Sequence, residues 1–138
     1  MTITFDTETI RLLTLFENIT NASVRDCFMN NDVVYYIVEE GKIGLAICKD
    51  GTSIKNVEKV IGKKVKVFEY SSDTETFVRN IIPQSKEVTI INQDDKLIVE
   101  VKVNKNDRGF VIGRGGENIK IYKEILKRVY NISDIQVK

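Results

Sequence analysis

The stretch FVIGRGGENIKIY, Phe110 to Tyr122, decides how the chain folds. It opens with bulky apolar residues, breaks into three glycines around one arginine, and returns at once to helical spacing. A connection that only reverses the chain needs one or two glycines. Gly113, Gly115 and Gly116 together imply that something approaches the backbone closely.

Three glycine-rich phosphate-binding designs compete for this loop. The nucleotide P-loop needs a glycine followed five residues later by Gly-Lys-Ser or Gly-Lys-Thr, and no such run exists. The dinucleotide fingerprint needs a third glycine where this chain has Asn118, in a turn between a strand and a helix. The third design is a GxxG loop between two helices, flanked by isoleucines as I-G-x-x-G-x-x-I, and Ile112 to Ile119 fits it at every position.

The loop has an earlier copy. Ile47-Cys48-Lys49-Asp50-Gly51-Thr52-Ser53-Ile54 aligns with Ile112 to Ile119 at an offset of 65. Upstream, Asp6 to Ile10 matches Asp73 to Phe77 at an offset of 67, and downstream Val65-Lys66-Val67 matches Ile135-Gln136-Val137 at an offset of 70. Three matches in one order argue for a unit used twice.

Each copy reads the same way. In the first, Asp6 is the expected N-cap of an amphipathic helix carrying Ile10, Leu12, Leu13, Phe16 and Ile19. Strands at Ser23 to Met29 and Val33 to Val38 flank the turn residues Asn30-Asn31-Asp32. A short helix from about Lys42 to Ile47, the loop, a helix from Ser53 to Ile61 closed by Gly62, and a strand from Lys64 to Phe68 follow. The second copy starts at Ser72-Asp73-Thr74-Glu75, which has capping-box spacing, and its first helix ends before Pro83. Val88 to Ile91 and Leu97 to Val103 read as strands around Asn92 to Asp95. A short helix from Asp107 to Ile112 and a long one with Ile119, Tyr122, Leu126 and Val129 on one face enclose the loop.

The second copy resembles a KH domain, and the order helix-strand-strand-helix-helix-strand resembles the type II arrangement. Two such units in tandem, with Gly-Lys-Ile-Gly-Leu-Ala-Ile leading into the first loop, look like the KH pair of the transcription factor NusA. The pair takes up nearly the whole chain, leaving no room for an N-terminal polymerase-binding domain or an S1 domain. That short form is similar to the archaeal NusA-like proteins. The resemblance implies an α+β fold: two tandem type II KH domains, residues 1–70 and 71–138, each a three-stranded sheet with helices on one face. A short linker at Ser71-Ser72-Asp73 leads to the expectation of two domains packed as one rigid body.

It also implies single-stranded RNA as ligand. A GxxG loop clamps about four nucleotides because missing side chains let phosphates reach backbone N–H groups. The following helix adds the positive end of its dipole near Glu117 and Asn118, and Arg114 supplies a charge-assisted contact. Ile112 and Ile119 anchor the helices to the core in preference to touching ligand directly, and Lys120 is the lysine nearest the loop. In the first copy Cys48 replaces a glycine and Asp50 repels phosphate, while Lys49, Gly51 and the downstream Lys55 partly compensate. That loop is therefore expected to be the weaker clamp, acting through avidity. Tyr35, Tyr36 and Tyr122 are open to stacking on bases or to core packing, and their spacing favours the core for at least one of each neighbouring pair.

Composition narrows the remaining classes. The 138 residues are 42% hydrophobic and 30% charged, as in folded domains. Apolar runs stop at six residues, Val33 to Val38, and no charged leader precedes one, so the expected place is the cytoplasm, away from membranes. There is no histidine, and Cys27 and Cys48 lack CxxC spacing. His/Cys zinc sites and histidine-based nucleophile arrangements are excluded, and no enzyme activity, metal, cofactor or small-molecule substrate is expected.

The net charge of +1 divides unevenly. Gly41 to Lys66 holds seven lysines against Asp50 and Glu58, a local +5. Lys105 to Arg128 holds seven basic residues against Asp107, Glu117 and Glu124, a local +4, and the remainder carries −8. Two basic segments on an acidic background suit a chain that holds a polyanion at chosen places. The resulting expectation is a factor that binds nascent transcripts in termination or elongation control, with RNA polymerase as a further partner. A ribosome-associated or RNA-processing KH protein, and a KH-fold protein-interaction adaptor, remain open alternatives.

Overall fold

A computed structural model describes residues 7–47 and 52–138. Asp6, the expected first N-cap, and the whole of Cys48-Lys49-Asp50-Gly51 lie outside the described residues. The chain divides into two compact units, the first ending at Ser72 and the second running Asp73–Lys138.

The first unit contains α1 (Thr7–Thr20), β1 (Val24–Asn30), β2 (Val33–Val38), α2 (Ile43–Ile47), α3 (Thr52–Ile61) and β3 (Lys64–Glu69). Leu12, Phe16 and Thr20, spaced by four, form the buried row of α1. The Thr20 hydroxyl donates to the Phe16 carbonyl at 2.8 Å and accepts from Ala22 N–H at 3.1 Å, which closes the helix end. β1 and β2 form an antiparallel hairpin across Asn31 and Asp32, whose φ angles of 50° and 62° are those of a two-residue primed turn. β3 adds parallel to β2, giving the order β1-β2-β3.

One face of this sheet, Val34, Tyr36 and Val38, packs with Leu12, Phe16, Ala46 and Val57 from the three helices. Phe16 and Tyr36 stack with ring centroids 4.0 Å apart. The buried Tyr36 hydroxyl donates to the Leu12 carbonyl at 2.8 Å, so its polar tip is satisfied inside the core.

The second unit repeats the order with α4 (Thr74–Ile81), β4 (Ser85–Gln93), β5 (Lys96–Val103), α5 (Lys105–Ile112), α6 (Glu117–Tyr130) and β6 (Asp134–Val137). The cap of α4 falls one residue later than the capping-box spacing suggests. Asp73, not Ser72, takes the extended N-cap conformation, and its carboxylate accepts from Thr76 N–H at 3.0 Å and the Thr76 hydroxyl at 2.6 Å. Ile82, just before Pro83, leaves helical geometry at φ −126° and ψ 83°, as the proline ring requires.

The second hairpin turns on Asp94 and Asp95, with φ of 52° and 63°, and β6 joins parallel to β5 to give the order β4-β5-β6. β4 runs well beyond the expected Val88 to Ile91 because its ends are polar. It is an edge strand, and backbone pairing with β5 rather than apolar burial defines it. Both hairpins carry an irregularity at the equivalent place, Val24/Asp26 and Ser85/Glu87.

The apolar face expected for α6 needs correction. The helix buries Ile121, Ile125 and Leu126, whereas Ile119, Tyr122 and Val129 are half-buried. ENIKIYKEILKRVY holds two adjacent apolar stripes, and the packing of α6 against α5, β6 and α4 selects the Ile121/Ile125 row.

Candidate nucleic-acid interface

α5 ends at Ile112 and α6 begins at Glu117, with the single 3-10 turn Arg114–Gly116 between them. Gly113 has φ 78° and ψ 169°, a region closed to side-chain-bearing residues, and a Cβ there would lie 2.8 Å from Asn118 N and 2.9 Å from Asn118 Cγ. Gly115 and Gly116 are left-handed, with φ of 64° and 77°. The Gly113 N–H donates to Gly109 O at 2.9 Å and the Gly116 N–H to Gly113 O at 3.1 Å, so the loop is a defined structure. All three glycines have conformational reasons to be there, and the bare backbone is the result.

Gly116 serves as N-cap of α6 without any side-chain cap, which leaves the positive end of a 14-residue helix facing outward. Arg114 is exposed and has no ion-pair partner among the described residues. Lys120 is exposed on the first turn of α6, and so is Glu117, a carboxylate that tempers the field there. With the Gly113, Gly116 and Glu117 N–H groups bonded within the turn, the arrangement offers an anion the exposed Arg114 guanidinium beside the start of α6.

The other expected site residues separate by role. Ile112 and Ile119 are half-buried at the two helix ends, and a Cβ at Gly116 would touch Ile119 Cγ2 at 3.6 Å. Asn118 spends its side-chain amide on the Phe110 carbonyl at 2.8 Å, tying the end of α5 to the start of α6. Lys55 is exposed in the first turn of α3, while Cys48, Lys49, Asp50 and Gly51 fall outside the described residues. Tyr35 and Tyr36 are both buried, Tyr35 against Phe28 at 5.1 Å, so neither presents a stacking face. Tyr122 is half-buried, and burial pushes its phenol above the ordinary value.

Phe110 escaped the sequence reading. It is 65% exposed on α5, with Leu45 at the equivalent repeat position 48% exposed on α2. The signal was available: only Val111 of FVIG lies in the buried row of α5, and Ala46 holds that row in the first copy.

The KH domain family matches residues 13–79. The probable transcription termination protein NusA of Methanocaldococcus jannaschii is 38% identical over 133 residues, covering 95% of this chain and 73% of that protein. The chain belongs to the NusA-like transcription termination protein family. A NusA-like relative from Halococcus morrhuae is 32% identical, with 99% of both chains covered. The crystal structure of APE1850 superposes with a TM-score of 0.85 at 29% identity, over 97% of this chain and 100% of that one. With two sheets of matching order, this NusA-like chain is an α+β protein of two tandem KH domains. Among its described residues, no helix is long and apolar enough to cross a membrane.

Proposed function

We propose that the protein is a nonenzymatic factor in transcription termination or elongation control that holds single-stranded nascent RNA across its two KH domains. The observation that carries this is the Gly113–Gly116 loop: a backbone kept bare by three positive-φ glycines, at an uncapped helix start, beneath an Arg114 with no ion-pair partner among the described residues. The names of the NusA-like relatives support the transcriptional setting. Gly113, Arg114, Gly115 and Gly116 contact phosphate, Lys120 adds charge, and Ile112 and Ile119 edge the groove. Asn118 acts by holding the loop in shape. The Cys48-Lys49-Asp50-Gly51 loop, with Lys55 behind it, is the weaker clamp and contributes avidity. RNA polymerase is the protein partner this function implies, and the cytoplasm is its place of action.

Single-stranded RNA affinity measured against salt tests the function, with the native chain beside Arg114→Asp combined with Gly115→Asp. Affinity falls markedly, and the salt slope becomes shallower by about 0.7 for each phosphate contact removed. Unchanged binding overturns the assignment to this loop. Paired aspartates at Lys49 and Gly51 cost less, and a larger loss there reverses the ranking of the two clamps. Pull-down of RNA polymerase from cell extract tests the second partner.

A further inference from the structure

Phe110 is the most exposed large apolar residue among those described, and its ring meets no other aromatic ring. Its exposure follows from the helix: Val111 takes the buried row of α5 and Ile112 the half-buried edge, so Phe110 falls on the far flank. Its main chain is fixed nonetheless, because the Phe110 carbonyl accepts from Asn118 at 2.8 Å. The ring therefore stands on a pinned backbone directly beside the loop.

The preceding residue is also bare. Gly109 is helical with no positive φ, and a Cβ there would meet nothing within 4 Å. Glycine inside a helix is less stable than alanine, and neither conformation nor internal packing calls for it here. The same pair stands 65 residues earlier as Gly44, equally open, and Leu45.

Charge indicates which class of partner suits this turn. Arg108 and Arg114, which bracket Phe110 in sequence, have no ion-pair partners among the described residues, although Asp107 adds one acid to the helix. An exposed aromatic face on the turn that leads into a glycine loop, with these unpaired guanidinium groups two residues before it and four after it in sequence, suits an unstacked nucleobase. We propose that Phe110 is the stacking platform for one base of the RNA strand held by the Gly113–Gly116 loop. The proposal rests on the RNA-binding function above. Leu45 offers apolar contact without a π face, so stacking belongs to the second KH domain alone.

The chain contains no tryptophan, so Phe110→Trp creates a single reporter. Titration with a single-stranded oligoribonucleotide quenches its emission, whereas inorganic polyphosphate, which offers phosphates without bases, does not. Phe110→Leu lowers RNA affinity roughly tenfold with an unchanged salt slope, and Phe110→Tyr restores it. If Phe110→Leu binds RNA like the native chain and the emission of the Phe110→Trp variant ignores bound RNA, stacking is wrong and the exposed ring belongs to a protein contact. If the native chain binds no RNA, the RNA-binding function fails first and the platform falls with it.

Discussion

The side-chain amide of Asn118 donates to the Phe110 carbonyl at 2.8 Å, spanning the loop from the first turn of α6 to the last turn of α5. The same asparagine leaves no room for a Cβ on Gly113. One residue thus sets both the separation of the two helix ends and the shape of the backbone between them.

Asn118→Ala removes this tie at a cost of about 0.5–1.5 kcal/mol, the net value of one hydrogen bond. Asn118→Asp costs more, because a carboxylate oxygen then faces the carbonyl. Urea denaturation measures both losses. For Asn118→Ala, RNA affinity falls in parallel while the salt slope stays constant, since no phosphate contact is deleted.

Alanine substitutions separate the glycines. Gly113→Ala is the most damaging, combining a disallowed backbone with a 2.8 Å collision, and loses about 2–3 kcal/mol or more. Gly115→Ala meets no atom within 4 Å and loses about 1 kcal/mol from its left-handed φ alone. Gly109→Ala stabilises the chain by about 0.5–1 kcal/mol, because alanine is the better helix former. A combined rise in stability and fall in RNA affinity for Gly109→Ala marks that turn as a contact surface.

Hydrogen bonds from the Thr76 hydroxyl and then the Thr76 N–H hold the Asp73 carboxyl below the ordinary carboxylate value. A lowered folded-state pKa contributes stability that is fully present above the unfolded value and is lost as pH falls through the folded one. Asp73→Ala therefore lowers the melting temperature at neutral pH. The gap from the native chain closes in acid, and a gap constant down to the lowest pH tested contradicts the cap.

Burial, with a smaller contribution from Cys27, pushes the Tyr36 phenol well above its ordinary value. The neutral hydroxyl donates to Leu12, so the native state resists its ionisation. Stability from this group is complete below the unfolded pKa of about 10 and declines as pH rises above it. Tyr36→Phe loses about 1–3 kcal/mol at neutral pH, chiefly by leaving the Leu12 carbonyl without its donor. Its denaturation midpoint falls less in alkali than that of the native chain.

Residues that act through their own backbone were legible in the sequence. Asn31-Asp32 and Asp94-Asp95 tolerate left-handed φ and mark the hairpins. Pro83 ends α4, Gly62 closes α3, and the spacing Ile112 to Ile119 gives the loop. Residues whose role depends on a neighbour were not legible. The sequence shows two apolar stripes on α6, and only the packing against α5, β6 and α4 chooses Ile121 and Ile125. Adjacent Tyr35 and Tyr36 point to opposite faces of β2, yet both are buried, which alternation alone does not reveal.

The sequence by itself determined the two-copy plan, the element order and the glycine loop, because turn chemistry and periodicity are local properties of the chain. Only the tertiary structure decided the parallel pairing of β2 with β3 and of β5 with β6, and the bond that makes Asn118 a fastener. It also left Phe110 in solvent beside the glycine loop. The physical reason is the same throughout: these features depend on which surface meets which, and partners distant in sequence are fixed only when the helices close over the sheets.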